Sequence, residues 1–158
     1  MSIPETLCAL LEDKRQAFLT YEKETEALIV CDVETAQAHM NQRSLLIKEI
    51  DLIDKKIEGV LSSSADRELL GRAVKAKSLP AELTEEYLPI YEQAQLLFAV
   101  MNRVKMSEPQ AANRLDQLKN ELLNKIKENN KGTGAQVSKY YNSTFPDKQR
   151  PNFLSEKI

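Results

Sequence analysis

Tryptophan is missing from the chain, glycine occurs only four times and proline six times in 158 residues. So small a supply of turn formers argues against a fold of many short strands, and the abundance of Glu, Lys, Leu and Ala argues for long helices. Histidine occurs once, at His39, and there is no Cys-x-x-Cys pair, so a structural zinc site has no ligand set. The only cysteines, Cys8 and Cys31, sit at opposite ends of the first helical stretch. At 1.5 Å per residue they stand about 35 Å apart, too far to bridge within one chain, and they read as reduced thiols. No apolar run approaches the roughly 20 residues of a membrane span. The first residues carry neither a basic segment nor an apolar core of a signal peptide, so a cytoplasmic protein is expected, and the Asn142-Ser143-Thr144 sequon carries no glycosylation meaning. Nor is positive charge in excess. The chain has 22 basic and 24 acidic residues, which argues against nucleic acid as the main partner.

What is present is helical periodicity. Leu7, Leu11, Phe18, Tyr21 and Leu28 follow a three-four spacing with gaps at Lys14 and Thr25. The pattern resumes through Ala36, Met40 and Ile47, then Leu46, Ile50, Ile53, Ile57 and Val60. Each stripe lies on one helix face and needs another helical surface to cover it. Ser2 and Glu5 form a capping box with Pro4 in the first turn, which predicts a helix from about residue 3 to Val30. Asp32 followed by Glu34 is a second start signal. The short break predicts an antiparallel hairpin, with one continuous helix bent at Asp32 as the alternative.

Gly59 and Ser62-Ser63-Ser64 weaken the second helix near Leu61. A weaker helical stretch over 65–77 offers Leu69, Leu70, Ala73 and Val74, and Ser78-Leu79-Pro80 reads as a boundary. Leu83, Tyr87, Ile90, Ala94, Leu97, Met101 and Val104 then form a stripe, with a kink or a start expected near Pro89. Ser107, Pro109 and Gln110 repeat the capping signature and either restart a final helix or kink a long one. That final helix carries Leu115, Leu118, Leu122 and Ile126 in register, and Gly132 suits its C-terminus. The fold class is therefore all-α: an elongated antiparallel helical bundle or coiled-coil hairpin. A bundle domain over 1–131 precedes a flexible tail over 132–158. From Asn130 onward the chain carries a net charge of +3 against −5 for the rest. This reads as a solvated tail or, alternatively, as a docking site for an acidic partner.

Chemistry is sparse. His39, among Gln37, Asn41 and Gln42, reads as a surface residue, and Glu22, Glu26, Glu121 and Lys125 read as solvated or i,i+4 surface charges. Gly132-Thr133-Gly134 lacks the preceding strand and following helix of a phosphate loop. No enzyme activity and no cofactor are expected. Two features are candidate binding sites. The stripe Leu115, Leu118, Leu122 and Ile126 is either bundle core or a docking face for a partner helix. Tyr140 and Tyr141, beyond the glycines, either fold back as a local anchor or meet a partner, since aromatics are enriched in binding hot spots.

The segment Ala27-Leu28-Ile29-Val30-Cys31-Asp32-Val33-Glu34 resembles the helix junction of the FlgN-like family of flagellar export chaperones. Arg43-Ser44-Leu45-Leu46-Ile47-Lys48-Glu49-Ile50-Asp51 is similar to that family's second helix. So is the ending Asn124-Lys125-Ile126-Lys127-Glu128-Asn129-Asn130, a Gly-containing spacer, then Lys139-Tyr140-Tyr141-Asn142. Pro80, Pro89 and Pro109 depart from the longer helices of the family and leave the layout of 62–110 open. The resemblance implies a cytoplasmic chaperone that holds helical terminal segments of hook-associated proteins before export. Its client surface would be formed by Leu115, Leu118, Leu122, Ile126, Tyr140 and Tyr141. The alternative is a self-associating helical scaffold without a client, a homo-oligomer joined along the Leu46, Ile50, Ile53, Ile57 and Val60 seam.

Overall fold

A computed structural model describes residues 1–78 and 80–130. Helix α1 (Ile3–Val30) starts where Ser2 Oγ accepts the Glu5 amide at 3.2 Å, with Pro4 in the first turn, where its missing N–H costs nothing. Helix α2 (Val33–Ser62) starts where Asp32 Oδ1 accepts the Thr35 amide at 3.0 Å. Cys31 and Asp32 are both extended, with ψ of 167° and 173°, and these two residues reverse the chain. The hairpin is antiparallel: Lys14 meets Asp54, Tyr21 meets Arg43 and Glu24 meets His39.

Helix α3 (Arg67–Val74) is shorter than the stretch predicted over 65–77 and turns Leu70 and Ala73 into the core. It ends on Ala76 at φ 52°, a left-handed position that closes the terminal Lys77 to Arg72 hydrogen bond. A 3₁₀ turn (Pro80–Glu82) leads to helix α4 (Leu88–Asn130), which is 43 residues long and roughly 65 Å from end to end. Pro89 therefore marks a start. Its ring sits in the first turn, and Leu83 and Tyr87 pack on the core from the segment before it. Pro109 does not end the helix, which runs through it as one element.

Helix α4 runs parallel to α1: Arg103 pairs with Glu22 and Arg114, further along, with the Cys31 carbonyl, while Glu108 between them meets Tyr21. The long helices thus run up, down and up, with α3 at the base. Helix α1 packs along both α2 and α4, which touch each other much less. The chain is an all-α bundle, and no helix among the described residues is long and apolar enough to cross a membrane.

Two apolar clusters form along the bundle. The main one joins Leu7, Leu11, Phe18, Ile50, Leu97 and Met101 with their neighbours, and takes in the Leu46, Ile50, Ile53 and Ile57 seam of α2. Within the protomer that seam is packed into this cluster. The smaller cluster lies at the hairpin tip, where Leu28, Ala36, Met40 and Leu118 are buried together. The tail predicted over 132–158 lies outside the described residues.

Candidate partner-binding surface

Helix α4 outruns the hairpin. Arg114 Nη2 donates to the Cys31 carbonyl at 2.6 Å, so the chain reversal lies level with residue 114. Leu118 is fully buried against Leu28, Ala36 and Met40, whereas Leu115 and Leu122 cover that cluster and are themselves only partly buried. No residue from 119 to 129 is buried, and Ile126 is half-buried one turn beyond Leu122. At the same level Lys125 reaches across to Glu34 in the first turn of α2, and Arg114 lies 3.5 Å from Glu121. The predicted stripe is therefore split: Leu118 is core, Leu115 and Leu122 form its cover, and Ile126 lies past the hairpin. Tyr140 and Tyr141 lie outside the described residues.

Beneath this end lies a polar layer that periodicity alone does not separate from the core. Arg43 of α2 is 1% exposed, and its guanidinium stacks over the Tyr21 ring with 4.8 Å to the centroid. Its Nη2 donates to Tyr21 Oη at 2.6 Å and to Glu108 Oε1 at 2.8 Å, and Tyr21 Oη donates to the same carboxylate oxygen at 3.0 Å. The three long helices thus meet at one oxygen. Arg43 Nε and Nη1 have no hydrogen-bond partner among the described residues and are buried. Burial pushes the Tyr21 hydroxyl well above its ordinary pKa, and the nearby Arg43 charge only partly opposes this.

The signal for these residues was the register of the stripe. Arg43 stands three residues after Met40 and seven before Ile50, a core position occupied by a charge. The gaps at Lys14 and Thr25 are buried positions of the same kind. Thr25 Oγ1 donates to the Tyr21 carbonyl at 3.0 Å, and Lys14 Nζ pairs with Asp54 at 2.6 Å. The Lys14–Asp54 pair lines an open groove of about 630 Å³ at the base, with Leu11, Leu61, Phe98 and Met101 among its walls.

The surface charges form bridges between helices. Glu22 holds Arg103 at 2.9 Å and Glu24 holds the half-buried His39 at 2.7 Å, so neither His39 nor Glu22 is a free solvated group. At the tip, the Thr35 hydrogen bonds hold the Asp32 carboxyl below the usual carboxylate range, and Lys125 does the same for Glu34. Cys8 and Cys31 are free thiols, and burial raises the Cys8 thiol further from its reactive thiolate form. Among the described residues no three His, Cys, Asp or Glu side chains are grouped to hold a metal ion.

No family model, curated protein or solved structure matches this chain. The FlgN-like resemblance therefore stands on the residues quoted for it.

Proposed function

We propose that the protein is a cytoplasmic export chaperone of the FlgN-like kind, without enzymatic activity. It would bind a helical terminal segment of a hook-associated flagellar subunit at the tip of α4. The observation that carries this reading is the end of α4, where Leu122, on the rim of the hairpin-tip cluster, and Ile126, one turn further along, are both only half-buried. An amphipathic helix leaving its own bundle with an apolar edge incompletely covered offers i,i+4 anchors to a partner helix. The cluster under that edge is small and is set off from the main core by the Arg43–Tyr21–Glu108 layer. Small satellite clusters open at lower free energy than a main core, which leaves this end adaptable to a client. Leu118 supports the edge from inside rather than touching the client.

The test follows from that division. Leu122→Asp with Ile126→Asp places charges on the edge while sparing the buried Leu118, so the variant is expected to keep the circular dichroism of the parent, with a lowered urea midpoint from the lost Leu122 cover. It should lose capture of a hook-associated subunit in a pull-down. A folded double variant that binds the subunit as well as the parent does would sink the assignment.

A further inference from the structure

Helix α4 is held unequally along its length. Before Pro109 its buried side chains Ile90, Ala94, Leu97, Val100, Met101 and Val104 belong to the main core. From 109 to 129 only Ala111 and Leu118 are buried, and Leu118 belongs to the small tip cluster with Leu28, Ala36 and Met40. Polar contacts fastening the same stretch include Arg114 Nη2 on the Cys31 carbonyl at 2.6 Å and the exposed Lys125–Glu34 pair. An exposed ion pair contributes little. Apart from the small Ala111, the apolar hold on the last stretch of α4, about 30 Å long, therefore rests on Leu118 and the partly buried Leu115 and Leu122.

The boundary between the two parts is built as a pivot. Pro109 is exposed and brings no amide hydrogen to the Lys105 carbonyl, and a proline ring inside a helix crowds the carbonyl one turn before it. Ser107 Oγ donates to the Val104 carbonyl at 2.9 Å, a side-chain bond that also favours bending. Directly before the proline, Glu108 is pinned to Arg43 and Tyr21. The helix is thus fixed up to 108 and weakened at the next residue. The interior changes at the same level, where the Arg43–Tyr21–Glu108 layer parts the tip cluster from the bulk of the main core.

We propose that α4 beyond Pro109 is a hinged arm, which swings off the hairpin tip as a unit and uncovers a pocket lined by Leu28, Ala36 and Met40. Closed, the pocket is filled by Leu118. Open, it accepts one branched apolar side chain of that size from another helix. A minor open state of this kind makes a buried site available to a partner. The motion belongs to the chain alone and does not require that a flagellar subunit be the partner.

Thiol labelling in native buffer reads the open state, because a buried cysteine reacts only when it is uncovered. In the full chain with Cys8 and Cys31 replaced by alanine, Ala36→Cys reports on the tip and Ala94→Cys on the main core, and both alanines are 0% exposed. Ala36→Cys should react with Ellman's reagent about a hundredfold faster than Ala94→Cys. Met40→Cys repeats the tip measurement if Ala36→Cys does not fold. Ile57→Val, in the main core, should speed labelling of Ala94→Cys about fivefold and leave Ala36→Cys unchanged, since swinging the arm leaves that core intact. Pro109→Ala restores the missing hydrogen bond at the pivot and should slow labelling of Ala36→Cys about tenfold.

Equal labelling at the two sites overturns the proposal. So does a tip rate that rises with Ile57→Val, because the tip then opens only with the whole molecule. A tip rate indifferent to Pro109→Ala overturns the hinge, since fraying of α4 from its far end does not involve residue 109. Failure of the α4 tip to bind a client leaves all of these readouts unaffected.

Discussion

Removing Glu108 and removing Arg43 should have very different consequences, although the two residues form one ion pair. Arg43 is 1% exposed, and its hydrogen-bond partners among the described residues, Tyr21 and Glu108, both engage Nη2. Glu108→Leu would leave a guanidinium without a countercharge in a dry site. Stranding a buried charge in this way costs about 3–5 kcal/mol. The 17% exposure of the Glu108 side chain lets some water reach the gap, so the lower end, about 3 kcal/mol, is expected. Arg43→Met instead removes the charge together with two donors, Nε and Nη1, that have no partner among the described residues. It gives up the stacking on Tyr21 and one charged hydrogen bond, but Tyr21 still donates to Glu108. Losses of about 1–3 kcal/mol are offset by a similar gain from the two vanished orphans, for a net change within about 1 kcal/mol. Urea unfolding followed by far-UV circular dichroism, with unchanged slopes, would measure both. The reasoning is refuted if Arg43→Met destabilises as much as Glu108→Leu.

Pro109 is exposed and sits inside α4, where it deprives the Lys105 carbonyl of its helical donor. Pro109→Ala should raise stability by about 2 kcal/mol, after allowing for the greater freedom of the unfolded chain, and a differential scanning calorimeter would record the rise. The pH profile should fall at both ends. Tyr21 is held neutral by burial, so its contribution is complete below the unfolded tyrosine value of about 10 and is lost as pH rises above it. Tyr21→Phe should flatten that alkaline limb. Asp32 is held below its ordinary value, so its contribution is present above about pH 4 and fades as pH falls below that. Asp32→Ala should therefore lower the melting temperature at neutral pH and change it little in strong acid.

Much of the fold was legible because local signals agreed. The Ser2 capping box and the Asp32 cap set the ends of α1 and α2, and the three-four spacing of Leu7, Leu11, Phe18 and Tyr21 set the face that is buried. The hairpin was open on sequence because no Gly or Pro enforces it. It forms because Cys31 and Asp32 are extended and three polar or charged pairs then align between the antiparallel helices. The course of the chain around Pro89 and Pro109 was less legible, since one proline opens a helix and the other lies within it. A proline fixes only its own backbone angle and one missing donor, and α4 is continuous through Pro109 because long apolar contacts on both sides hold it. Within the candidate site, the stripe from Leu115 to Ile126 was visible, but its division was not. That division depends on where α1 ends beside α4, which only the helix register supplies. Arg43 was hidden for the same reason: periodicity finds a core position without saying which charge on another helix will meet it.

The shared oxygen of Glu108 also acts as a gauge mark. Sliding α4 by a single turn, about 5.4 Å, would carry its carboxylate out of reach of both Arg43 and Tyr21, while leucine would still face leucine almost as well as before. Greasy surfaces alone tolerate such slippage, whereas a solitary arginine sealed among them does not. The length of α4 that extends beyond the hairpin is thus metered from the middle of the molecule, and a fault in that layer would be felt at the far end as a helix that is too long or too short.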